Sequence, residues 1–422
     1  MARRKSIAAV AIDAVALLVA MEIASLAVFE DPIPWRAQGD AGPMLAAIAA
    51  GAALGLFISF RPVINTFSRP SYGRAMSMSL IMLASTSVAL VFSRVYWSRA
   101  FVLVTFGAWL GIGLVHRWIR RLRSWTETLV VITSEKALVD HLLGATHADL
   151  VAVLDPAGTP PERLSDGATL AVDLRAVLSD EMARFVSSCN LAGLPVRSLT
   201  SVYEEHTGRL PIVHLHEGWE LTVPLARRKL YVQVKRIVDT ILVVVTLPVS
   251  LVLGGLIALA IKMDSRGPVI FRQRRIGLGG RPFTLYKFRT MRAQADIEAR
   301  FAERADNRLT RVGRVLRRVR IDELPQLWNV LKGDLSLVGP RPEQGAFVER
   351  FSDSIPFYMH RHLVRPGITG WAQVNFGYAD NEADTVEKLS FDLYYVKHLS
   401  VWLDVEVLGR SVWTVMSGFG AR

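Results

Sequence analysis

The chain has 422 residues, 51% of them hydrophobic, which is room for two or three domains and too apolar for an ordinary soluble enzyme. Its 50 Lys+Arg against 38 Asp+Glu give a net charge of +12, which favours anionic partners: phospholipid, nucleic acid or phosphorylated substrates. The single cysteine, Cys189, excludes an intrachain disulfide and a cysteine-based zinc or iron–sulfur site, and reads as a small buried residue.

Four apolar runs open the chain, at about 6–29, 43–60, 75–93 and 99–116, each close to the ~20 residues that cross a bilayer as a helix. The first follows Arg3, Arg4 and Lys5, but it is too long for a signal h-region and lacks a small-residue cleavage site. Asp13 and Glu22 within it are expected on a helix face inside a bundle. Arg61, Arg69 and Arg74 lie between runs two and three, and Arg117, Arg120, Arg121 and Arg123 follow run four. The loop after run one carries Glu30, Asp31 and Asp40 against Arg36. Arg94 and Arg99 weaken this asymmetry without reversing it, so both ends of a four-span domain, residues 1–124, are expected in the cytoplasm.

Residues 125–234 change character. TLVVITS, ADLVAVLDP, ATLAVDL and LPVRSL read as short buried strands, with a helical pattern such as EKALVDHLLG between them. A small α/β domain of degenerate Rossmann type follows. Its first turn, Thr133-Ser134-Glu135-Lys136, lacks the glycines that let a backbone approach a pyrophosphate, and Glu135 would repel one. Scaffolding or self-association is the expected role.

The fifth apolar run, 237–261, decides the topology. A full crossing would carry residues 262–422 out of the cytoplasm, yet that segment has 26 Lys+Arg against 18 Asp+Glu, a flank that opposes translocation. Pro248 falls near the middle of the run, before Gly254 and Gly255, and proline bends a helix by removing a hydrogen bond. The expectation is a re-entrant helix over 236–262, broken at Pro248.

Beyond it, GPVIFRQRRIGLGGRPFTLYKFRTM interleaves Arg272, Arg274, Arg275, Arg281, Lys287, Arg289 and Arg292 with aromatics. Alone, this suits a lipid-facing anchor or a nucleic-acid surface, but no helix-turn-helix, RNP or zinc-finger pattern supports the second. Arg308, Arg311, Arg314, Arg317 and Arg318 recur at helical spacing with Val312, Val315, Leu316 and Val319, predicting an amphipathic basic helix in the membrane interface. Then come adjacent acids, Asp322 and Glu323, ahead of Pro325. Neighbouring side chains point in different directions, which suits one acid as nucleophile and the other as ligand of a divalent ion such as Mg²⁺; taken alone, the pair also reads as two ordinary first-turn acids at a helix start. Nearby arginines and the helix start are expected to keep both ionised. Lys332-Gly333-Asp334 predicts a tight turn, and Pro340-Arg341-Pro342 a rigid mount for a guanidinium that clamps phosphate. In RPGITGW, Trp371 and Gln373 either flank a base or sugar or build a structural turn.

The segments GPVIFRQRRIG, YKFRTM, DELPQLWNVLKGDLSLVGPRP and RPGITGWAQV, in this order, resemble the bacterial sugar transferases, monotopic polyprenyl-phosphate hexose-1-phosphate transferases. The resemblance covers residues 235–422 continuously, and the whole chain is similar in plan to the family's larger members. It implies transfer of a sugar 1-phosphate from a nucleoside diphosphate sugar, uridine by family analogy, to undecaprenyl phosphate. The products would be undecaprenyl-diphosphate sugar and UMP, the first membrane step of exopolysaccharide or capsule synthesis. It implies Asp322 as nucleophile of a covalent aspartyl phosphosugar, Glu323 as holder of Mg²⁺, and Arg341 as phosphate clamp. Lys287, Arg289 and Arg275 become substrate-phosphate contacts and Pro248 the break of the re-entrant helix.

The expected architecture is therefore an α-helical membrane protein with α/β parts: a four-helix transmembrane bundle, a Rossmann-like cytoplasmic domain, and a mainly helical catalytic domain with its re-entrant helix. The expected location is the bacterial inner membrane, multi-pass, with the catalytic domain in the cytoplasm. Expected partners are undecaprenyl phosphate, a nucleotide sugar, membrane lipids and a second copy in a homodimer, with no nucleic acid. The competing reading is a non-catalytic membrane scaffold of a polysaccharide assembly complex.

Overall fold

A computed structural model describes residues 2–36, 42–59, 72–92, 98–122, 126–162, 164–165, 167–215, 229–292, 309–376 and 381–417. Arg61, Arg69, Arg94, Arg123, Asp40 and Arg308, all used above, lie outside them. The chain forms two compact units, Met1–Thr126 and Glu127–Arg422.

The first unit holds four helices: α1 (Ala2–Phe29), α2 (Gly42–Ser59), α3 (Tyr72–Phe92) and α4 (Arg99–Leu122). Each contains a stretch long and apolar enough to cross a bilayer. Their core mixes small residues such as Ala20, Ala24 and Ala52 with the larger Ile48, Met78, Met82 and Trp109. Gly51 and Gly55, four apart on α2, meet the α3 backbone: a Cβ on Gly55 would lie 2.5 Å from the Met78 carbonyl oxygen. This is the small-residue spacing that lets membrane helices approach closely. Asp13 is buried, with both carboxylate oxygens taking Arg117 guanidinium hydrogens at 2.9 and 2.7 Å, and its carbonyl accepts from Trp109 Nε1 at 2.9 Å. A paired charge is the form in which an ionisable group is tolerated inside a bundle. Glu22 departs from the expectation: it is exposed, not on the bundle's inner face.

The second unit begins with a four-stranded parallel sheet of β1 (Glu127–Ile132), β2 (Ala148–Leu154), β3 (Thr169–Val172) and β4 (Val196–Ser198), in the order β2-β1-β3-β4. β1 and β3 are near-continuous apolar runs because both faces are covered, by α5 (Lys136–Leu143), α6 (Asp180–Leu191) and α7 (Leu199–Thr207). Cys189 on α6 is buried in this core. The turn after β1 is closed by side chains: Thr133 Oγ1 donates to Asp173 at 2.9 Å, and His214 Nε2 lies 3.7 Å from the same carboxylate oxygen.

Next comes α8 (Lys229–Asp264), 36 residues long, followed by the antiparallel hairpin β5 (Ile270–Ile276) and β6 (Pro282–Phe288). The helix is one uninterrupted element, and Pro248 lies inside it rather than between two helices. Much of its surface is apolar and exposed, with Val245, Val249, Leu251, Val252, Leu256 and Leu259 all at least 60% accessible. Such a surface belongs in lipid, and with the four helices above it marks a membrane protein. The remaining elements are α9 (Arg311–Arg318), α10 (Gln326–Lys332), β7 (Ser336–Val338), α11 (Gly345–Ser354), β8 (Gly367–Thr369), α12 (Trp371–Asn375), α13 (Glu382–Lys397) and α14 (Val401–Ser417). β7 and β8 form a parallel pair.

Candidate active site

Three elements carry the candidate residues to one place. β6 brings Lys287; the segment between α9 and α10 brings Asp322 and Glu323; and the loop after β7 brings Arg341. Asn329, fully buried on α10, locks the first two together. Its side chain accepts from Tyr286 N at 3.1 Å and donates to the Thr284 carbonyl at 2.7 Å, behaving as an extra strand residue beside β6. α9 docks just as closely. Gly313 faces the Thr290 backbone, where a Cβ would lie 2.1 Å from the carbonyl oxygen, and Arg317 Nε then reaches Thr290 Oγ1 at 3.0 Å.

The acids occupy a 3₁₀ turn, Ile321–Glu323, rather than the helix proper; Pro325 sits at the N-cap of α10. Arg320 before them adopts a left-handed backbone, φ 55°, a strained conformation for a non-glycine residue, held beside the two acids. The predicted turn after α10 is present: Gly333 has φ 92°, and Lys332 pairs with Asp334 at 3.1 Å.

The two acids have different surroundings. Glu323 Oε1 accepts from Arg341 Nη2 at 2.9 Å and lies 3.6 Å from Lys287 Nζ. Burial alone would raise this carboxyl; Arg341 and Lys287 outweigh it and hold it at about 2. Asp322 is equally buried, but among the described residues no side chain donates a hydrogen bond to it. Burial, and next the adjacent Glu323 carboxylate, push its carboxyl up, with Lys287, Arg341 and Arg317 working against them. The nearby cations thus favour ionisation at both acids; at Glu323 they prevail, and at Asp322 burial and the neighbouring carboxylate oppose them. Arg317 lies on α9, as its helical spacing predicts, and its charge acts on Asp322.

Arg275, Lys287 and Arg341 line one cleft together with Leu285, Gln326, Pro342 and Gly367. Burial brings the Lys287 ammonium down to about 8 and the Arg275 guanidinium to about 10. Arg275 is already committed, to Gln273 through Nε and Nη2 and to the Pro342 carbonyl through Nη1 at 3.2 Å. Arg289 does not line this cleft; its Nη2 donates to Ser265 at the end of α8, to the carbonyl and to Oγ, both at 2.8 Å. Trp371 and Gln373 do not line this cleft either. Trp371 is buried, donates to the Gly208 carbonyl at 2.7 Å and stacks on Tyr394, while Gln373 Nε2 bonds the Ile368 carbonyl.

Among the described residues no group of three His, Cys, Asp or Glu side chains is placed to cage a metal ion. The donor set fits a hard cation only in part: two neighbouring carboxylates, one with an oxygen already held by Arg341 and Lys287. Mg²⁺ tolerates such a site because it is commonly bound by one or two carboxylates with substrate phosphates completing its shell.

A family profile described as bacterial sugar transferase matches residues 230–418, the segment containing every residue of this cleft. A UDP-glucose:undecaprenyl-phosphate glucose-1-phosphate transferase of Caulobacter vibrioides is 45% identical over 183 residues, covering 42% of this chain and 68% of the relative. The chain belongs to the bacterial sugar transferase family. Two longer members of the family are also similar. A UDP-N-acetylgalactosamine-undecaprenyl-phosphate N-acetylgalactosaminephosphotransferase of Aeromonas hydrophila is 48% identical over 249 residues, 58% of each chain. A UDP-glucose:undecaprenyl-phosphate glucose-1-phosphate transferase of Xanthomonas campestris pv. campestris is 43% identical over 208 residues, 48% of this chain and 42% of the relative. The matches thus span about half the length of these two sugar transferases.

Proposed function

We propose that this chain transfers a sugar 1-phosphate from a UDP-sugar to undecaprenyl phosphate, releasing UMP, as the first membrane step of an exopolysaccharide or capsule. The observation that carries the reading is the division between the acids. Glu323 is clamped by Arg341 and Lys287, whereas Asp322 keeps its carboxylate uncommitted beside the same cations.

In the proposed reaction an Asp322 carboxylate oxygen attacks the phosphorus that bears the sugar, and the bond to the UMP oxygen breaks, UMP leaving with the electron pair. The resulting acyl phosphate is then attacked by a phosphate oxygen of undecaprenyl phosphate, and Asp322 departs as carboxylate, so neither step consumes another reactant. Arg341 and Lys287 supply positive charge where the phosphoryl oxygens gather it. Arg275, on β5, adds field beside Glu323 and Arg341, and Arg317 adds its charge at Asp322. Bound Mg²⁺ would supply further charge neutralisation at the diphosphate, with Glu323 and Asp322 as the available oxygens. For Arg289 the contact with Ser265 supports a place bracing the C-terminal end of α8 instead of the reacting phosphates.

The re-entrant reading of α8 is supported by what its two ends hold. Near its start, Lys235 pairs with Asp404 at 2.6 Å, Arg236 donates to the Leu331 carbonyl at 2.6 Å, and Asp239 accepts from Ser336 at 2.6 Å. At its end, Asp264 accepts from Val312 N at 2.9 Å, and Ser265 accepts from Arg289. Both ends are thus bonded to one catalytic unit, which fits a helix that dips into the membrane and returns to the cytoplasmic side. Pro248 has no N–H for the Val244 carbonyl, and Thr246 Oγ1 bonds back to Leu242 and Val243, two local causes of a bend. The parallel order β2-β1-β3-β4 supports a Rossmann-type domain at 125–234, between the spans of 1–124 and the catalytic domain of 235–422. Inner-membrane location, a cytoplasmic active site, lipid contact and a homodimer belong to the same proposal.

The test is release of UMP by the purified chain from UDP-glucose, UDP-galactose, UDP-N-acetylglucosamine or UDP-N-acetylgalactosamine with undecaprenyl phosphate and Mg²⁺. Lipid-dependent release with one donor supports the reading. No release with any of them leaves the scaffold reading in its place.

A further inference from the structure

The loop Pro340–Glu343 carries the clamp residue Arg341, and its backbone is held at every carbonyl. Gly367 N donates to Pro340 O at 2.9 Å, Arg361 Nη2 to Arg341 O at 3.0 Å, Arg275 Nη1 to Pro342 O at 3.2 Å, and Ile276 N to Glu343 O at 2.9 Å. Proline at 340 and 342 contributes no N–H, so these carbonyls are the loop's main handles. Two handles are main-chain bonds, from the start of β8 and from the end of β5. Arg275 lies on the cleft. The fourth donor, Arg361, is different: it is 3% exposed, does not line the cleft, and touches the Arg341 backbone from behind.

The guanidinium of Arg361 is itself fixed on three sides. Nη1 donates to Tyr358 Oη at 2.8 Å, and Nη2 donates to Asp392 Oδ2 at 2.7 Å as well as to the Arg341 carbonyl. Asp392, on α13, is almost completely buried, and Glu343 adds a weaker approach at 3.9 Å. A buried ion pair is often no more stabilising than well-packed apolar residues, because both charges give up their water. What the rigid fork offers beyond stability is direction, since its nitrogens hold several acceptors in a fixed geometry.

We propose that Arg361, braced by Asp392 and Tyr358, is a positioning residue that sets the Arg341 guanidinium against Glu323 through the main chain of the Pro340–Pro342 loop. This rests on the reading of Arg341 as phosphate clamp. The coupling runs from α13 to Arg361, to the Arg341 carbonyl, and along one residue to the side chain that meets Glu323 at 2.9 Å. Lysine at 361 keeps the charge facing Asp392, but its single nitrogen cannot hold Tyr358, Asp392 and the carbonyl in the same plane.

The experiment is a double-mutant cycle on the full-length protein in detergent, measuring UMP release with UDP-glucose or UDP-N-acetylgalactosamine and undecaprenyl phosphate, with melting temperature recorded for every variant. Arg361→Lys is expected to lower kcat/KM about tenfold, equivalent to about 1.4 kcal/mol. In an Arg341→Lys background the same change is expected to add less than twofold, because there is no longer a guanidinium to aim. Tyr358→Phe, which removes only a hydroxyl, provides a milder second arm with the same non-additive pattern and serves where Arg361→Lys does not fold. A full tenfold loss in both backgrounds, or unchanged kcat/KM in both Arg361→Lys and Tyr358→Phe, overturns the positioning role while leaving the clamp intact. Near-normal turnover of Arg341→Lys removes the clamp reading itself and the inference with it.

Discussion

Glu323→Gln probes the electrostatics of the cleft most cleanly, since it removes one charge with almost no change of shape. In the folded protein this carboxyl sits at about 2, below the ordinary 4.5. The gap corresponds to about 3 kcal/mol of preference for the ionised form. Because the folded value is depressed, that stability is fully present above the unfolded value, from about pH 5 upward, and is lost as pH falls toward 2. At pH 7 the glutamine variant lacks it and leaves Arg341 and Lys287 without the carboxylate between them. At roughly 2 °C per kcal/mol for a unit of this size, the melting temperature should fall by about 6 °C at pH 7 and by about half as much at pH 3. Tryptophan fluorescence of wild type and variant in the same detergent, scanned at one rate, measures both numbers. A difference that is the same at pH 7 and pH 3, or absent at pH 7, would refute the argument that Arg341 and Lys287 hold this acid ionised.

Three further outcomes follow from other parts of the molecule. Lys287 titrates at about 8, so it loses its charge as pH rises through that value, and kcat/KM for the UDP-sugar should decline above pH 8; Lys287→Arg should extend the alkaline limb in a pH–rate profile. Gly313→Ala forces a methyl group against the Thr290 carbonyl and should cost about 1–3 kcal/mol, read as a lowered melting temperature and lost turnover. Asp13→Ala strands the buried Arg117 in the first unit and should cost about 3–5 kcal/mol, with much of it recovered in the Asp13→Ala/Arg117→Leu double variant, measured as detergent stability.

What could be read from the sequence was whatever depends on neighbours in the chain. The four parallel strands were legible because TLVV, LVAV, TLAV and PVRS are short runs bounded by turn residues, and the apolar helices because composition alone gives their length. The adjacency of Asp322 and Glu323, the αL glycine at Gly333 and the mount of Arg341 between two prolines were equally visible. Gly51 and Gly55 carried a legible spacing that the hydrophobic pattern obscured. The rest depends on partners far along the chain. Asp13 finds Arg117 104 positions away, Arg361 joins Asp392 across 31, and Trp371 turns from the cleft to the Gly208 carbonyl across 163. Likewise, no local pattern reveals that two adjacent acids have opposite shifts, because burial and the approach of β6 and the Arg341 loop decide it.

The central claim is that Asp322 forms the covalent bond to the sugar phosphate. Its most direct measurement is intact-protein mass spectrometry after rapid quench with a UDP-sugar that supports turnover, in the absence of lipid acceptor. The account predicts a mass increase of one sugar phosphate on the wild-type chain, mapped to the peptide holding Asp322, chased off by undecaprenyl phosphate and absent from a folded Asp322→Asn variant. An Asp322→Asn chain that still turns over near the wild-type rate, or an adduct located on another residue, would contradict it.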